Sequence, residues 1–193
     1  MKKILLIIVI TFCIFQMIVL AVDIDIGNAA INRESAYTYS TIVDHINPAN
    51  ASGKITQVEI WANISYSLTD CKVATFYIES GNNLSTRDYE YIGNVTGGEK
   101  KTFEVDLDVQ EGDYIGISYP NGGKIEIDTS GGNDWHIIYE DLIPCNNQLF
   151  DTGVRIISLH GTGTTEVGWP HKWNTQSITK WNAKEFTKWN DLE

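Results

Sequence analysis

The sequence predicts an all-β protein, an antiparallel two-sheet sandwich of the jelly-roll type followed by a short C-terminal extension with repeated Trp. Three observations lead to this prediction. No stretch shows a sustained helical period of apolar residues. Short runs rich in Val, Ile, Thr and Tyr are separated by clusters of Gly, Asn, Asp and Ser, which form turns. Several runs alternate apolar and polar residues, as strands with one buried and one solvated face do.

The predicted strands follow one another through residues 22–161. Their number and their long connections favour a jelly roll over the smaller immunoglobulin type. The strands are VDIDI (22–26), AYTYSTIVD (36–44), KITQVEIWA (54–62), KVATFYIES (72–80), TRDYEYIGNV (86–95), KTFEVDLDV (101–109), DYIGISY (113–119), KIEID (124–128), DWHIIYE (134–140) and GVRIISLHG (153–161).

Alternation within these runs predicts which face is buried. In residues 54–62 it places Thr56, Val58 and the following even positions inside, and in residues 102–108 it places the odd positions inside. Asn121-Gly122-Gly123 tolerates positive φ and predicts a hairpin between ISY and KIEID.

The first residues read as a secretory signal. Lys2 and Lys3 precede an apolar run, and Ala21 ends it at a plausible cleavage site. An uncleaved membrane anchor is the alternative, because the run approaches the shortest spanning length. We therefore expect a signal peptide at 1–21, a sandwich domain at 22–165 and a Trp-repeat tail at 166–193, in a secreted or cell-surface protein.

The charge excludes two classes of partner. The net charge is −11, with acidic residues scattered along the chain. An acidic, exported chain has no electrostatic attraction for nucleic acid or for anionic lipid, so we expect no nucleic acid and no membrane contact after signal cleavage.

Two cysteines remain after the signal segment, Cys71 and Cys145. In an exported protein such a pair predicts one disulfide. Two buried free thiols are the alternative.

The strongest sign of an enzyme is the carboxylate pair Glu126 and Asp128, which projects from one face of a strand. Some jelly-roll glycosidases carry Glu-x-Asp-x-x-Glu, but Gly131 stands where the acid would be. A solvated strand face is the simpler interpretation of the pair. The sequence also lacks a Gly-x-Ser-x-Gly motif and closely spaced histidines, so we predict a non-enzymatic protein.

One loop is rich in oxygen ligands. Asp128, Asn133 and Asp134 flank two glycines and could share a calcium ion, although Asx residues also form plain turns. We expect no other cofactor.

Aromatic residues are numerous for a single sandwich, and exposed ones stack on sugar rings. Half-buried strand positions are the alternative, because Tyr and Trp favour them. The candidates are Trp61, Tyr66, Tyr77, Tyr89, Tyr91, Tyr119, Trp135 and Tyr139, with Trp61 and Trp135 the predicted contact residues.

Residues 24–163 contain the phrases IDIGNAAINR, NPANASGKITQVEIWAN, IGNVTGGEKKTF, QEGDYIGISY, IEIDTSGG and ISLHGTG. This stretch resembles uncharacterised β-sandwich proteins of environmental and bacteriophage-associated sequences, some of which end in similar Lys-Trp-Asn repeats. The resemblance implies a virion-surface, tail-associated or cell-surface component and brings no catalytic residues. The signal segment favours a secreted or cell-surface protein over a virion component.

The tail repeats Lys-Trp-Asn with a period of eight residues. That period moves each Trp about 80° around a helix, whereas Asn after each Trp favours turns, so we predict small β-hairpin units. Such units cannot bury their aromatic residues alone. The predicted contact residues are Trp173, Trp181, Trp189, Ile178 and Phe186.

Three functions are consistent with these features. The leading hypothesis is an exported, non-enzymatic surface, structural or assembly component whose tail contacts another copy or another surface protein. The alternative is a carbohydrate-binding module that uses an aromatic platform. A glycan-active hydrolase centred on Glu126 and Asp128 is the third.

Overall fold

The computed structural model describes residues 21–38 and 40–165. Every regular element in these ranges is a β-strand, so the all-β prediction is confirmed. No helix long and apolar enough to cross a bilayer occurs in the described part of the chain. Residues 1–20 of the predicted signal and the tail 166–193 lie outside it. The strands are β1 (Asp23–Gly27), β2 (Ser35–Thr38), β3 (Ser40–Asp44), β4 (Gly53–Trp61), β5 (Leu68–Ser80), β6 (Asn83–Val95), β7 (Lys100–Val109), β8 (Tyr114–Ser118), β9 (Lys124–Asp128), β10 (Asp134–Ile138), β11 (Gln148–Leu149), β12 (Asp151–Gly153), β13 (Ile156–Ile157) and β14 (Leu159–Thr164).

The strands form antiparallel sheets of four, seven and three strands, ordered β1-β14-β4-β7, β11-β6-β5-β8-β3-β10-β12 and β13-β9-β2. The small third sheet was not predicted.

The outer edge of β7 faces β6, where the Asp108 N–H donates to Asp88 Oδ2 (2.8 Å) and the Asp106 N–H to Glu90 Oε2 (3.0 Å). Side-chain carboxylates thus satisfy this edge, which protects it from pairing with another chain.

The seven-stranded sheet is covered on both faces over part of its area. Its Ile42 and Val73 belong to the main core, to which all three sheets contribute. Successive strand residues point to opposite faces, and the adjacent Val43 and Ala74 belong to a second core on the other side. Ile143, from the segment after β10, closes that second core.

Each predicted strand overlaps at least one strand of the structure. Residues 36–44 divide between β2 and β3, and residues 153–161 divide among β12, β13 and β14. The two-residue strand β11 was not predicted. Strand positions therefore follow closely from the local pattern.

The buried face of β4 differs from the prediction at its start. Thr56 is exposed and Ile55 is buried, whereas Val58 and Ile60 are buried as predicted. The pairing of β4 with β7 shifts register between Ile55 and Gln57. This irregularity changes the phase of the alternation, because a bulge adds one residue to one strand.

The predicted hairpin at Asn121-Gly122-Gly123 is wrong. Gly122 and Gly123 do have positive φ, at +133° and +104°. However, β8 pairs with β3 and β5, whereas β9 pairs with β2 and β13. The turn therefore carries the chain from one sheet to another, which local turn chemistry alone does not distinguish from a hairpin.

The predicted disulfide is also wrong, because Cys71 and Cys145 are free thiols. Cys71 lies opposite Gly93 on β6, whereas the Cys145 N–H donates to Thr86 Oγ1 (2.9 Å) near the other end of that strand. The strand between Thr86 and Gly93 spans roughly 20 Å, and a disulfide requires Cα atoms within about 7 Å. Burial raises the pKa of the Cys71 thiol to about 12, which makes it unreactive.

The domain's first and last described residues meet at one end of the sandwich. The Val22 N–H donates to Thr165 Oγ1 (2.9 Å), and the Thr165 N–H donates to the Val22 carbonyl (2.9 Å). We call this the basal end. Strand β4 begins beside it and runs roughly 30 Å to Trp61 at the opposite, apical end.

Candidate functional site

The predicted contact residue Trp135 is not at the surface. It is 1% exposed and lies in the second core. Its ring stacks on His45 at a centroid distance of 3.5 Å, and its Nε1–H donates to Asn82 Oδ1 (3.2 Å). Tyr119 is likewise buried. Both expectations of exposure were wrong. Trp135 is covered because the outer face of the seven-stranded sheet carries its own core, and Tyr119 is buried in the main core.

Trp61 is half-buried at the apical end of β4, where its N–H donates to the Ser158 carbonyl (3.2 Å). Its role as a contact residue stays a prediction. The predicted contact residues of the tail lie outside the described residues, so their role also stays a prediction.

Glu126 lies inside the protein, so the interpretation as a solvated strand face is wrong. Its side chain is 2% exposed. Oε1 accepts from Asn63 Nδ2 (2.7 Å), and Oε2 accepts from the Arg33 N–H (3.2 Å). The segment before β2 and the end of β4 cover the face of β9 that alternation predicts to be wet.

Arg33 joins Glu126 to the second carboxylate of the predicted pair. Its Nη1 donates to Asp128 Oδ2 (2.5 Å) and its Nε to Ser158 Oγ (2.8 Å). Ser158 Oγ in turn donates to the Ile31 carbonyl (2.7 Å). Both carboxylates are therefore occupied by protein donors, which favours a structural role over proton transfer.

This buried network fixes a loop at the apical end. Asn63, which donates to Glu126, accepts at Oδ1 from the Ser65 N–H (3.1 Å). That hydrogen bond is an Asx turn, which orders the residues that follow. Glu126 thus acts as an anchor for the loop that carries Ile64 and Tyr66.

Replacing Glu126 by Gln is expected to lower the free energy of unfolding by about 1–3 kcal/mol. Gln has one acceptor oxygen and one NH2 group in place of the two carboxylate oxygens of Glu. Either the Asn63 donor or the Arg33 donor therefore faces another donor. Chemical denaturation measures the loss, and hydrogen exchange at the Ser65 amide should accelerate. The matched substitution Glu104→Gln, at an exposed position of β7, should change neither quantity, and equal effects for the two variants would contradict the anchoring role.

The predicted calcium ligands are engaged by other groups. Asp128 pairs with Arg33, and Asp134 Oδ2 pairs with Arg155 Nη1 (2.7 Å) and lies 3.0 Å from His136 Nδ1. The Asn133 carbonyl accepts from the His45 N–H (3.1 Å). In the part of the chain that the structure describes, no group of three or more His, Cys, Asp or Glu side chains is placed to hold a metal ion. Calcium binding stays a prediction without a preformed ligand set.

Three segments, residues 62–70, 94–99 and 119–124, meet at the apical end. Backbone donors of one segment reach the next and tie them together. These bonds run from Gly98 N to Ala62 O (2.9 Å), Lys124 N to Tyr66 O (3.2 Å), Thr69 N to Gly122 O (3.2 Å) and Gly97 N to Ser67 Oγ (3.2 Å).

Large side chains are exposed on these segments and on the adjoining end of β6. Ile64 is 79% exposed, Tyr66 51% and Tyr91 58%. The Lys124 ammonium lies 4.4 Å from the centre of the Tyr66 ring, a cation–π contact that restrains the ring. Together with the polar side chains described next, these residues form what we call the apical surface: Ile64, Tyr66, Asp70, Tyr91, Asn94 and Asn121.

Asp70 organises the polar part of the apical surface. Its carboxylate accepts from Asn121 Nδ2 (2.6 Å) and from the Tyr91 hydroxyl (3.0 Å), and its N–H donates to Asn94 Oδ1 (3.2 Å). The hydrogen bonds from Asn121 and Tyr91 hold the pKa of Asp70 below its usual range, so it is ionised at neutral pH. The phenol, two amides and a carboxylate thus lie side by side around an exposed ring.

Comparison of the chain with protein-family models, curated proteins and solved structures found no match. The geometry of the described residues is therefore the basis for the function proposed below.

Proposed function

We propose that this protein is an exported, non-catalytic surface component that displays a binding surface, the apical surface, away from its point of attachment. The observation that carries the proposal is the position of the apical surface. It lies one full strand length from Val22 and Thr165, where the predicted signal and tail join the domain.

The rigidity of the apical surface supports a binding role. Glu126 anchors Asn63, Lys124 restrains the Tyr66 ring, and Asp70 holds the Tyr91 hydroxyl. Exposed aromatic side chains that are already ordered lose little entropy when a partner binds, which favours affinity.

A non-catalytic role is supported by the state of the carboxylate pair. Glu126 is buried and bonded to two donors, and Asp128 is paired with Arg33. A general acid or base needs reach to a substrate atom, and the buried Glu126 lacks it, so the two carboxylates are not placed to act as a pair.

Assembly through the tail is the second candidate, and one observation favours it. The chain leaves the domain at Thr165, beside the strand β1 and away from the apical surface. A tail attached there can contact a neighbouring copy while the apical surface stays free. The two functions are therefore compatible in one molecule.

The test compares the full chain with a chain that ends at Thr165, each with and without the double substitution Tyr66→Ala/Tyr91→Ala. Glycan arrays and isolated cell-envelope material measure binding, and light scattering measures mass. We expect the double substitution to abolish binding in both chains, and the truncation to reduce only the number of chains per particle, which follows from the measured mass divided by the mass of one chain. Leu149→Ala, an exposed substitution on β11, is the control. Unchanged binding after the double substitution would refute apical display, and an equal number of chains per particle for the full and shortened proteins would refute assembly through the tail.

A further inference from the structure

The backbone at Asp70 is strained in a way that points to its side chain. Asp70 has φ +54°, a conformation in which Gly is favoured over residues with a Cβ. Strained residues of this kind cluster at ligand sites. The one advantage of Asp over Gly here is the carboxylate, which holds Tyr91 and Asn121.

The strands beside Asp70 are irregular as well. The pairing of β5 with β6 shifts register between Leu68 and Cys71 and again between Cys71 and Lys72. Such bulges re-aim side chains and occur often beside functional sites. Opposite Cys71, Gly93 has φ +77°, and a Cβ there would lie 4.0 Å from Tyr91 Cε1. The absence of a side chain at Gly93 leaves the flank of the Tyr91 ring open.

The charges around the ring select the kind of ligand. Lys72 lies directly across from Tyr91, but its ammonium is bonded to Asp141 Oδ2 (2.5 Å) and to the Ile143 carbonyl (2.8 Å). Lys101 pairs with Glu99, and Lys124 lies over Tyr66. These lysines are engaged, and the charge next to the ring is the ionised Asp70, in a chain of net charge −11. An anionic ligand would be repelled.

We propose that Tyr91, Asp70, Asn94 and Asn121 form a binding site for a neutral glycan. This inference rests on the proposed display function and names its ligand. The apolar C–H face of a hexose ring packs on the exposed Tyr91 ring. The sugar hydroxyls donate to the free lone pairs of the Asp70 carboxylate and pair with the amides of Asn94 and Asn121, which carry both donors and acceptors.

The experiment titrates the full chain with soluble hexamers of glucose, mannose and N-acetylglucosamine, and with hexagalacturonate and a sulfated hexasaccharide. Calorimetry gives the affinity, and saturation-transfer NMR shows which ligand protons touch the protein. We expect at least one neutral hexamer to bind and both anionic ones to fail. Tyr91→Ala should weaken binding by about tenfold or more, and Tyr91→Phe, which keeps the ring but loses the Asp70 contact, by less.

Asp70→Gly separates folding from binding. Gly accepts φ +54° without strain, so the variant should keep or gain stability while its affinity falls about tenfold. Leu149→Ala should leave binding unchanged. If a neutral hexamer binds with the same affinity to the native protein and to the Tyr91→Ala and Asp70→Gly variants, the proposed site is wrong.

The outcomes distinguish the ligand class from the display function. Tyr91-dependent binding of an anionic hexamer would overturn the neutral class and leave apical display standing. The neutral class is also overturned, and apical display stands, if no hexamer binds but the apical substitutions abolish binding to envelope material. If no hexamer binds and the apical substitutions leave envelope binding unchanged, both proposals fail.

Discussion

Replacing Arg155 by Met is expected to lower the free energy of unfolding at neutral pH by about 3–5 kcal/mol, the cost of leaving a buried charge without its partner. Arg155 Nη1 lies 2.7 Å from Asp134 Oδ2, and Asp134 has no exposed surface. Asp134 is also directly opposite Asp44, another buried carboxylate, in the pairing of β3 with β10. Like charges at opposite positions repel, so removal of the guanidinium leaves Asp134 without its arginine and next to a second buried acid. The substitution also removes the stacking of Arg155 on the Tyr37 ring, at 4.1 Å.

A double-mutant cycle separates the ion pair from the lost packing. Asp134→Asn in the Arg155→Met background should recover part of the stability, with a coupling energy above about 1 kcal/mol. Lys54→Met is the matched control, because Lys54 pairs with the exposed Asp106 and Asp108 at 3.0 and 2.6 Å and exposed pairs contribute about 0–1 kcal/mol. Similar losses for Arg155→Met and Lys54→Met in urea denaturation would show that Asp134 needs no partner.

The sequence predicts strand positions well because they depend on local chemistry. The alternation of Val105 and Leu107 with Asp106 and Asp108 is reproduced in β7, with the apolar residues buried and the acids exposed. The sequence pattern does not predict which strands pair with each other, because strand pairing depends on contacts between residues that are distant in the chain. The turn at Gly122 and Gly123 forms with the expected positive φ but joins two sheets.

Alternation gives the wrong burial at positions where both faces of a sheet are covered. A two-sheet sandwich leaves one face of each sheet in solvent, and the sequence pattern predicts that Trp135 and Glu126 lie on such faces. Trp135 is instead covered by the second core, and Glu126 by the segment that carries Arg33. Alternation of apolar and polar residues distinguishes a buried face from a solvated one. It does not reveal a polar residue that is buried and has its hydrogen-bond partners inside the protein.

The apical surface was visible in the sequence only in part. Tyr66 and Tyr91 were among the aromatic candidates for exposure, and the structure exposes both. No sequence pattern identifies the polar residues of this surface, Asp70, Asn94 and Asn121, because they lie on three different segments. The fold brings them together through the irregular pairing of β5 with β6 and the turn before β9. Asp at a position of positive φ, where Gly is the usual residue, is also indistinguishable from an ordinary loop Asp in the sequence.

Arginines compensate two of the acids considered above, Asp134 and Asp128, but Asp44 has no such partner among the described residues. Asp44 is 1% exposed, and its carboxylate accepts from Asn28 Nδ2 (2.7 Å) and from the Ile46 N–H (2.9 Å). Burial raises the pKa of Asp44 from 3.8 to about 6, and the hydrogen bonds from Ile46 and Asn28 oppose that rise only in part. Asp44 is therefore an internal acid that titrates at mildly acidic pH.

Asp44 is expected to make the folded state less stable as the pH rises from about 4 to about 6. Because its pKa is higher in the folded protein, the folded state keeps the proton after the unfolded chain has lost it. The destabilisation is absent below the unfolded pKa, grows as the pH rises toward 6, and is complete above it. The displacement of the pKa from 3.8 to about 6 corresponds to roughly 3 kcal/mol.

Asp44→Asn removes this titration and provides the measurement. The amide oxygen can still accept from Ile46, but the amide nitrogen faces the Asn28 donor, so the variant should be less stable than the native protein at pH 4. Between pH 4 and pH 7 the free energy of unfolding of the variant relative to the native protein should rise by roughly 2–3 kcal/mol. Urea denaturation at several pH values gives this difference, and Asp23→Asn, an exposed substitution on β1, is the matched control. A difference between Asp44→Asn and native protein that stays constant across this range would mean that Asp44 is ionised in the folded state throughout.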